Sequence, residues 1–71
     1  MKEYYTPSKI TPAKYTYLDN EGDMWFEIIQ ADHAQQIWKV YDYFGKEQYI
    51  GTLTNCKAKV AGFLQPFTMT D

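Results

Sequence analysis

Asp19-Asn20-Glu21-Gly22-Asp23 and Asp42-Tyr43-Phe44-Gly45-Lys46 decide how this chain folds. In each, Asp opens a type I turn and Gly follows three residues later, where left-handed backbone forms a bulge; this is a preferred three-residue hairpin loop. Alternating aromatic and aliphatic residues flank both stretches, so two hairpins are expected. The first is a poor calcium loop: counting back from Gly22 puts Tyr17 at the first ligand position of an EF-hand.

Between the turns lie Met24 to Ala31 and Ala34 to Tyr41, joined by Asp32-His33. Read as strands, they complete a meander of four strands ending at Leu53. Residues 33–44 also place Ala34, Ile37, Trp38, Tyr41 and Phe44 at helical spacing, with Asp32 as a cap and Gly45 as a stop, which would give a ββαβα-like arrangement. The β-branched and aromatic content of Ile37-Trp38-Lys39-Val40-Tyr41 favours the strand. Beyond it, Thr54 or Asn55 caps a C-terminal helix with Cys56, Val60, Phe63, Leu64 and Phe67 on one side, Lys57 and Lys59 pointing away, and Pro66 as its stop. The expected fold is α+β: a four-stranded antiparallel β-meander packed against one C-terminal α-helix.

Residues 1–13 read as an extended arm. They hold the near-repeat Thr6-Pro7-Ser8-Lys9-Ile10 and Thr11-Pro12-Ala13-Lys14-Tyr15, in which each Thr-Pro suits the start of a turn or a single helical turn. The same residues match the Ser/Thr-Pro-x-Lys pattern of proline-directed kinase substrates, a pattern short enough to arise by chance. Residues 14–67 then form a single α+β domain, and 68–71 a frayed tail.

The chain has 71 residues, seven Lys and no Arg against nine Asp and Glu, and a net charge of −2. It is the size of one small domain, and a core of this size supplies only roughly 3–5 kcal/mol without a staple or partner. Apolar runs are broken by Glu27 and Gln30, far short of the ~20 residues of a membrane span. The start of the chain lacks the apolar stretch of a secretory signal, so a cytoplasmic, intracellular protein is expected. Charges of both signs are interspersed. Without Arg, bidentate readout of guanine has no donor fork, which makes duplex DNA a poor partner.

Catalytic chemistry finds little support. Cys56 is the single cysteine, expected as a small buried hydrophobe; it makes neither an intramolecular disulfide nor, with His33, a recognised zinc spacing. His33 beside Asp32 reads as a solvated turn residue. The glycines lie apart, so no loop cradles phosphate. No enzyme, no metal and no cofactor is expected.

With the bulged-turn geometry, Asp19 opposes Asp23, Tyr17 opposes Trp25, Asp42 opposes Lys46 and Trp38 opposes Ile50. One face then collects Leu18, Met24, Phe26, Ile28, Ile37, Tyr41, Tyr49 and Leu53 as the core. The other collects Tyr15, Tyr17, Trp25, Ile29, Trp38, Val40 and Ile50 among polar residues. One helix covers only one face. An open face rich in Trp and Tyr has the composition of an interface centre, so Tyr15, Tyr17, Trp25, Glu27, Trp38 and Ile50 are the candidate partner-binding residues. The arm is one candidate cover and a homodimer another. The expected function is a non-catalytic protein-protein interaction module, such as a small modulator or inhibitor of a larger protein of the kind viruses and mobile elements encode. The alternative is a single-stranded nucleic-acid binder stacking bases on the same rings, with Lys14 and Lys46 near phosphates; Asp19, Asp23, Glu27 and Asp42 oppose it.

Overall fold

The computed structural model describes residues 2–7 and 12–68, the side chains as far as Leu64. The Ser8–Thr11 part of the Thr-Pro repeat, the Phe67 side chain and residues 69–71 of the expected tail lie outside the described residues. Five strands and one helix follow in order: β1 (Lys2–Thr6), β2 (Lys14–Leu18), β3 (Met24–Asp32), β4 (Ile37–Asp42), β5 (Glu47–Gly51) and α1 (Leu53–Thr68). The strands form one antiparallel sheet in the order β1-β2-β3-β4-β5. The α+β class holds, with five strands rather than four. The added strand, β1, comes from the segment read as an arm. Residues 33–44 are not helical: a turn at 33–36 leads into β4, where β-branched and aromatic residues pair on both sides.

Both expected turns form, and they form alike. Asp19 N–H donates to the Asp23 carbonyl and Gly22 N–H to the Asp19 carbonyl; Asp42 N–H donates to the Lys46 carbonyl and Gly45 N–H to the Asp42 carbonyl. Gly22 (φ 86°) and Gly45 (φ 77°) take the left-handed conformation that costs other residues energy. Each Asp carboxylate organises its own loop. Asp19 Oδ1 accepts from the N–H groups of Glu21 and Asp23, and Asp42 Oδ1 from those of Phe44 and Lys46.

The pairing departs from expectation one step further from each turn. Leu18 pairs with Met24 and Tyr41 with Glu47, but then Tyr17 pairs with Phe26 and Val40 with Tyr49. A second bulge in each hairpin leaves one extra residue, Trp25 in one and Gln48 in the other. Both stand six positions after the turn Asp, and both donate to its second carboxylate oxygen, Trp25 Nε1 to Asp19 Oδ2 at 2.9 Å and Gln48 Nε2 to Asp42 Oδ2 at 2.7 Å. A side chain reaching back to the turn thus accompanies the extra residue. Because strand side chains alternate with period two, one inserted residue exchanges the faces beyond it.

The register and the face sorting are corrected accordingly. Tyr17 does not oppose Trp25, and Trp38 opposes Gly51, not Ile50. Tyr15, Tyr17, Trp38 and Val40 share a face with Phe26, Ile28 and Tyr49, and this is the face that α1 covers. The buried core is Ala13, Tyr17, Ile28, Trp38, Val40, Cys56, Val60 and Leu64. Leu18, Met24, Ile37 and Tyr41, expected within it, are only partly buried.

The helix begins two or three residues earlier than expected. Thr52, rather than Thr54 or Asn55, is its cap, accepting the Asn55 N–H on Oγ1. Cys56, Val60 and Leu64 are buried at helical spacing, and Phe63 stacks on Phe26 with ring centroids 5.3 Å apart. The helix runs to Thr68, past the expected stop at Pro66. Lys57 and Lys59 do not simply point away. Lys57 Nζ lies 4.1 Å from the Tyr15 ring centroid and Lys59 Nζ 5.4 Å from that of Tyr49, so their stems cover rings while their charges stay wet.

Candidate docking site at the paired hairpin turns

Antiparallel pairing of β2 to β3 and β4 to β5, with Phe26 opposite Asp42, brings the two turns to one end of the sheet. A cleft of about 530 Å³ opens between them. Its apolar wall is Met24, Trp25, Phe26, Tyr43 and Phe44, and its rim carries Asp19, Asp23 and Asp42. Phe44 is 88% exposed and Tyr43 65% exposed. Their rings meet edge to face at 5.3 Å.

The twin turns provide an internal control on these two rings. Positions 43 and 44 have the same backbone hydrogen bonds as 20 and 21, where the chain carries Asn20 and Glu21. The turn therefore asks nothing aromatic of those positions. Large rings placed in water at a site that polar residues fill equally well are surplus to folding.

The electrostatics of this end are one-sided. The turns hold Asp19, Glu21, Asp23 and Asp42 against Lys46, and β1 brings Lys2, opposite Leu18, to the same end. The hydrogen bond from Trp25, with those from the turn backbone, holds the Asp19 carboxyl below its usual range, and the backbone bond from Lys46, with Gln48 and Phe44, does the same for Asp42. Both are charged at neutral pH. Among the described residues the ion pairs lie elsewhere, as Lys14–Glu27, Lys39–Glu47 and Lys57–Glu3. Carboxylate oxygens of Asp19, Glu21 and Asp23 come within 4.8 Å of one another. Both Asp19 oxygens accept hydrogen bonds from the turn and Trp25, which by itself accounts for the clustering of these side chains.

The residues singled out from sequence are dispersed. Tyr15, Tyr17 and Trp38 lie on the helix-covered face. Tyr15 packs between Tyr5 (4.7 Å) and Trp38 (5.9 Å), Tyr17 donates to Glu3 at 2.5 Å, and Trp38 is 5% exposed. Glu27 and Ile50 occupy the open face. There the paired rows Tyr4-Thr16-Glu27-Tyr41-Glu47 and Thr6-Lys14-Ile29-Lys39-Ile50 run across the sheet, and the Lys14–Glu27 and Lys39–Glu47 ion pairs make it largely polar. Trp25 sits at the bulge, half-buried against the core and lining the cleft. Tyr43 and Phe44, which border the cleft, were absent from that set. Their signal in the sequence was aromatic rings at the centre of a turn, positions that turn chemistry leaves to polar residues.

Neither Cys56 nor His33 lines the cleft. Cys56 is fully buried, with its Sγ toward the Trp38 and Gly51 carbonyls, and burial raises its thiol pKa. His33 is exposed in the β3–β4 turn. No helix among the described residues is long and apolar enough to cross a membrane. None of the family models, curated proteins or solved structures compared with this chain matches it.

Proposed function

We propose that this chain is a non-catalytic protein-binding module, a small modulator that acts by occupying the surface of a larger protein. Its docking surface is the cleft between the turns together with the Tyr43-Phe44 tip. The observation that carries this reading is the exposure of two adjacent aromatic rings where the twin turn, built identically, uses Asn20 and Glu21. Aromatic anchors of this kind bring large contact area at low entropic cost. The bundle of carboxylates beside them disfavours nucleic acid, whose phosphates would meet charge of their own sign.

The test exchanges the tip for the composition of its twin. The double variant Tyr43→Asn/Phe44→Gln, Gln standing as the neutral counterpart of Glu21, keeps the turn and removes the rings. Nuclease-treated extract of the source cell is passed over wild type and variant, and the bound proteins are identified by mass spectrometry. A protein retained by wild type and lost with the variant is the expected result. Identical profiles, or material that disappears on nuclease treatment, would count against the reading.

A further inference from the structure

We infer that the docking cleft recognises a basic segment of its partner, an aromatic or aliphatic side chain seated on the apolar wall with Lys or Arg beside it over the carboxylate rim. The inference rests on the protein-binding reading and adds the chemistry of the ligand. The apolar wall at Phe26 and Phe44 supplies the contact, and the charge around it selects what makes that contact. The turns carry four carboxylates against Lys46, and Lys2, opposite Leu18, adds a second lysine at this end; negative charge remains in excess, and no ion pair among the described residues offsets it. A cation near exposed rings also gains from their quadrupoles.

The same charge decides against other occupants. A second copy docking cleft to cleft would set the four turn carboxylates of one chain against those of the other, and like charges facing across an interface cost affinity. Phosphates are repelled for the same reason. A neutral apolar segment would fill the wall and leave the rim charges desolvated without partners. A basic segment alone answers both the wall and the rim.

A random peptide library displayed on phage tests this without knowledge of the natural partner. The library is panned on the intact wild-type protein and counter-selected on Tyr43→Asn/Phe44→Gln, which leaves the rim charge unchanged. The surviving peptides are synthesised and titrated against wild type and against Glu21→Gln/Asp23→Asn. That pair neutralises the rim carboxylate of Asp23 and its exposed turn neighbour Glu21, and spares the loop-building Asp19 and Asp42. We expect tip-dependent peptides rich in Lys or Arg next to an aromatic or aliphatic residue. Their affinity should weaken roughly 2- to 30-fold in the rim variant, the sum of two exposed charge contacts, and should fall further as NaCl is raised. Tip-dependent peptides without basic residues, or with affinity indifferent to the rim variant, would overturn the ligand chemistry while leaving the docking surface standing. Failure to recover any tip-dependent peptide would overturn both.

Discussion

Replacing Trp38 by Ala separates the observed register from the one that the turns alone imply. With Trp38 opposite Gly51, the ring lies under α1, touches Tyr15 and is 5% exposed. Truncating a buried Trp removes its transfer free energy and leaves a cavity, together about 3–5 kcal/mol. A chain of this size has a total stability of roughly 4–10 kcal/mol. The loss is therefore a large fraction of the whole. For a domain of 60–100 residues each kcal/mol moves the melting temperature by about 4–8 °C, so a drop of more than about 12 °C, or no cooperative transition, is expected. Thermal melts followed by far-ultraviolet circular dichroism read this directly. Trp38→Phe is the matched control. It keeps an aromatic ring and deletes an indole N–H that is buried without a hydrogen-bond partner among the described residues, so its cost should be well below that of Ala. A Trp38→Ala protein melting within about 3 °C of wild type would mean that the ring is not in the core and that the second bulge has been misplaced.

Three further outcomes follow from the same geometry. Gly45→Ala forces a side chain onto φ 77° and should lower stability by about 1–2 kcal/mol, whereas Gly62→Ala, in the helix with open space around its Cα, should raise it by about 1 kcal/mol; denaturant midpoints distinguish the two signs. Burial, with the hydrogen bond to Glu3 second, raises the Tyr17 pKa above its ordinary value of 10.0. The folded state therefore holds that proton more tightly, its stabilisation is complete below about pH 10 and is lost as pH rises past it, and Tyr17→Phe should flatten that alkaline loss in a stability-versus-pH series. Cys56, fully buried with a raised pKa, should react with a thiol reagent only through opening of the structure, so its rate should rise steeply with denaturant; prompt reaction in native buffer would contradict the packing of α1.

The turns were legible because their chemistry is local: Asp, two residues and Gly carry the whole signal. The helix was legible because Cys56, Val60 and Leu64 keep a period that burial against a sheet requires. The faces were not. They depend on one extra residue in each hairpin, and the device that marks it, a Trp25 or Gln48 side chain returning to Asp19 or Asp42, uses residue types with no bulge propensity of their own. That slip moved Trp38 and Tyr17 from core to surface, and with them the expected interface. β1 was hidden for a different reason. Its five residues are exposed along their length, so no hydrophobic alternation announces a strand, and what fastens it is non-local: pairing to β2, the Tyr5–Tyr15 ring contact and the Glu3 link to Tyr17 and Lys57. The tip residues Tyr43 and Phe44 were visible in the quoted turn, but their surplus character emerges only when the two loops prove to have the same hydrogen bonds.

The most direct trial of the docking surface is a paired measurement on Tyr43→Asn/Phe44→Gln: its melting temperature, and its dissociation constant for a peptide selected on the wild type. Surface substitutions away from structural contacts usually shift stability by no more than about 0.5 kcal/mol, so a melting temperature within about 4 °C of wild type, together with binding too weak to detect, is the result predicted here. An unchanged dissociation constant, or a protein that unfolds when the rings are removed, would show that Tyr43 and Phe44 serve the fold or nothing at all.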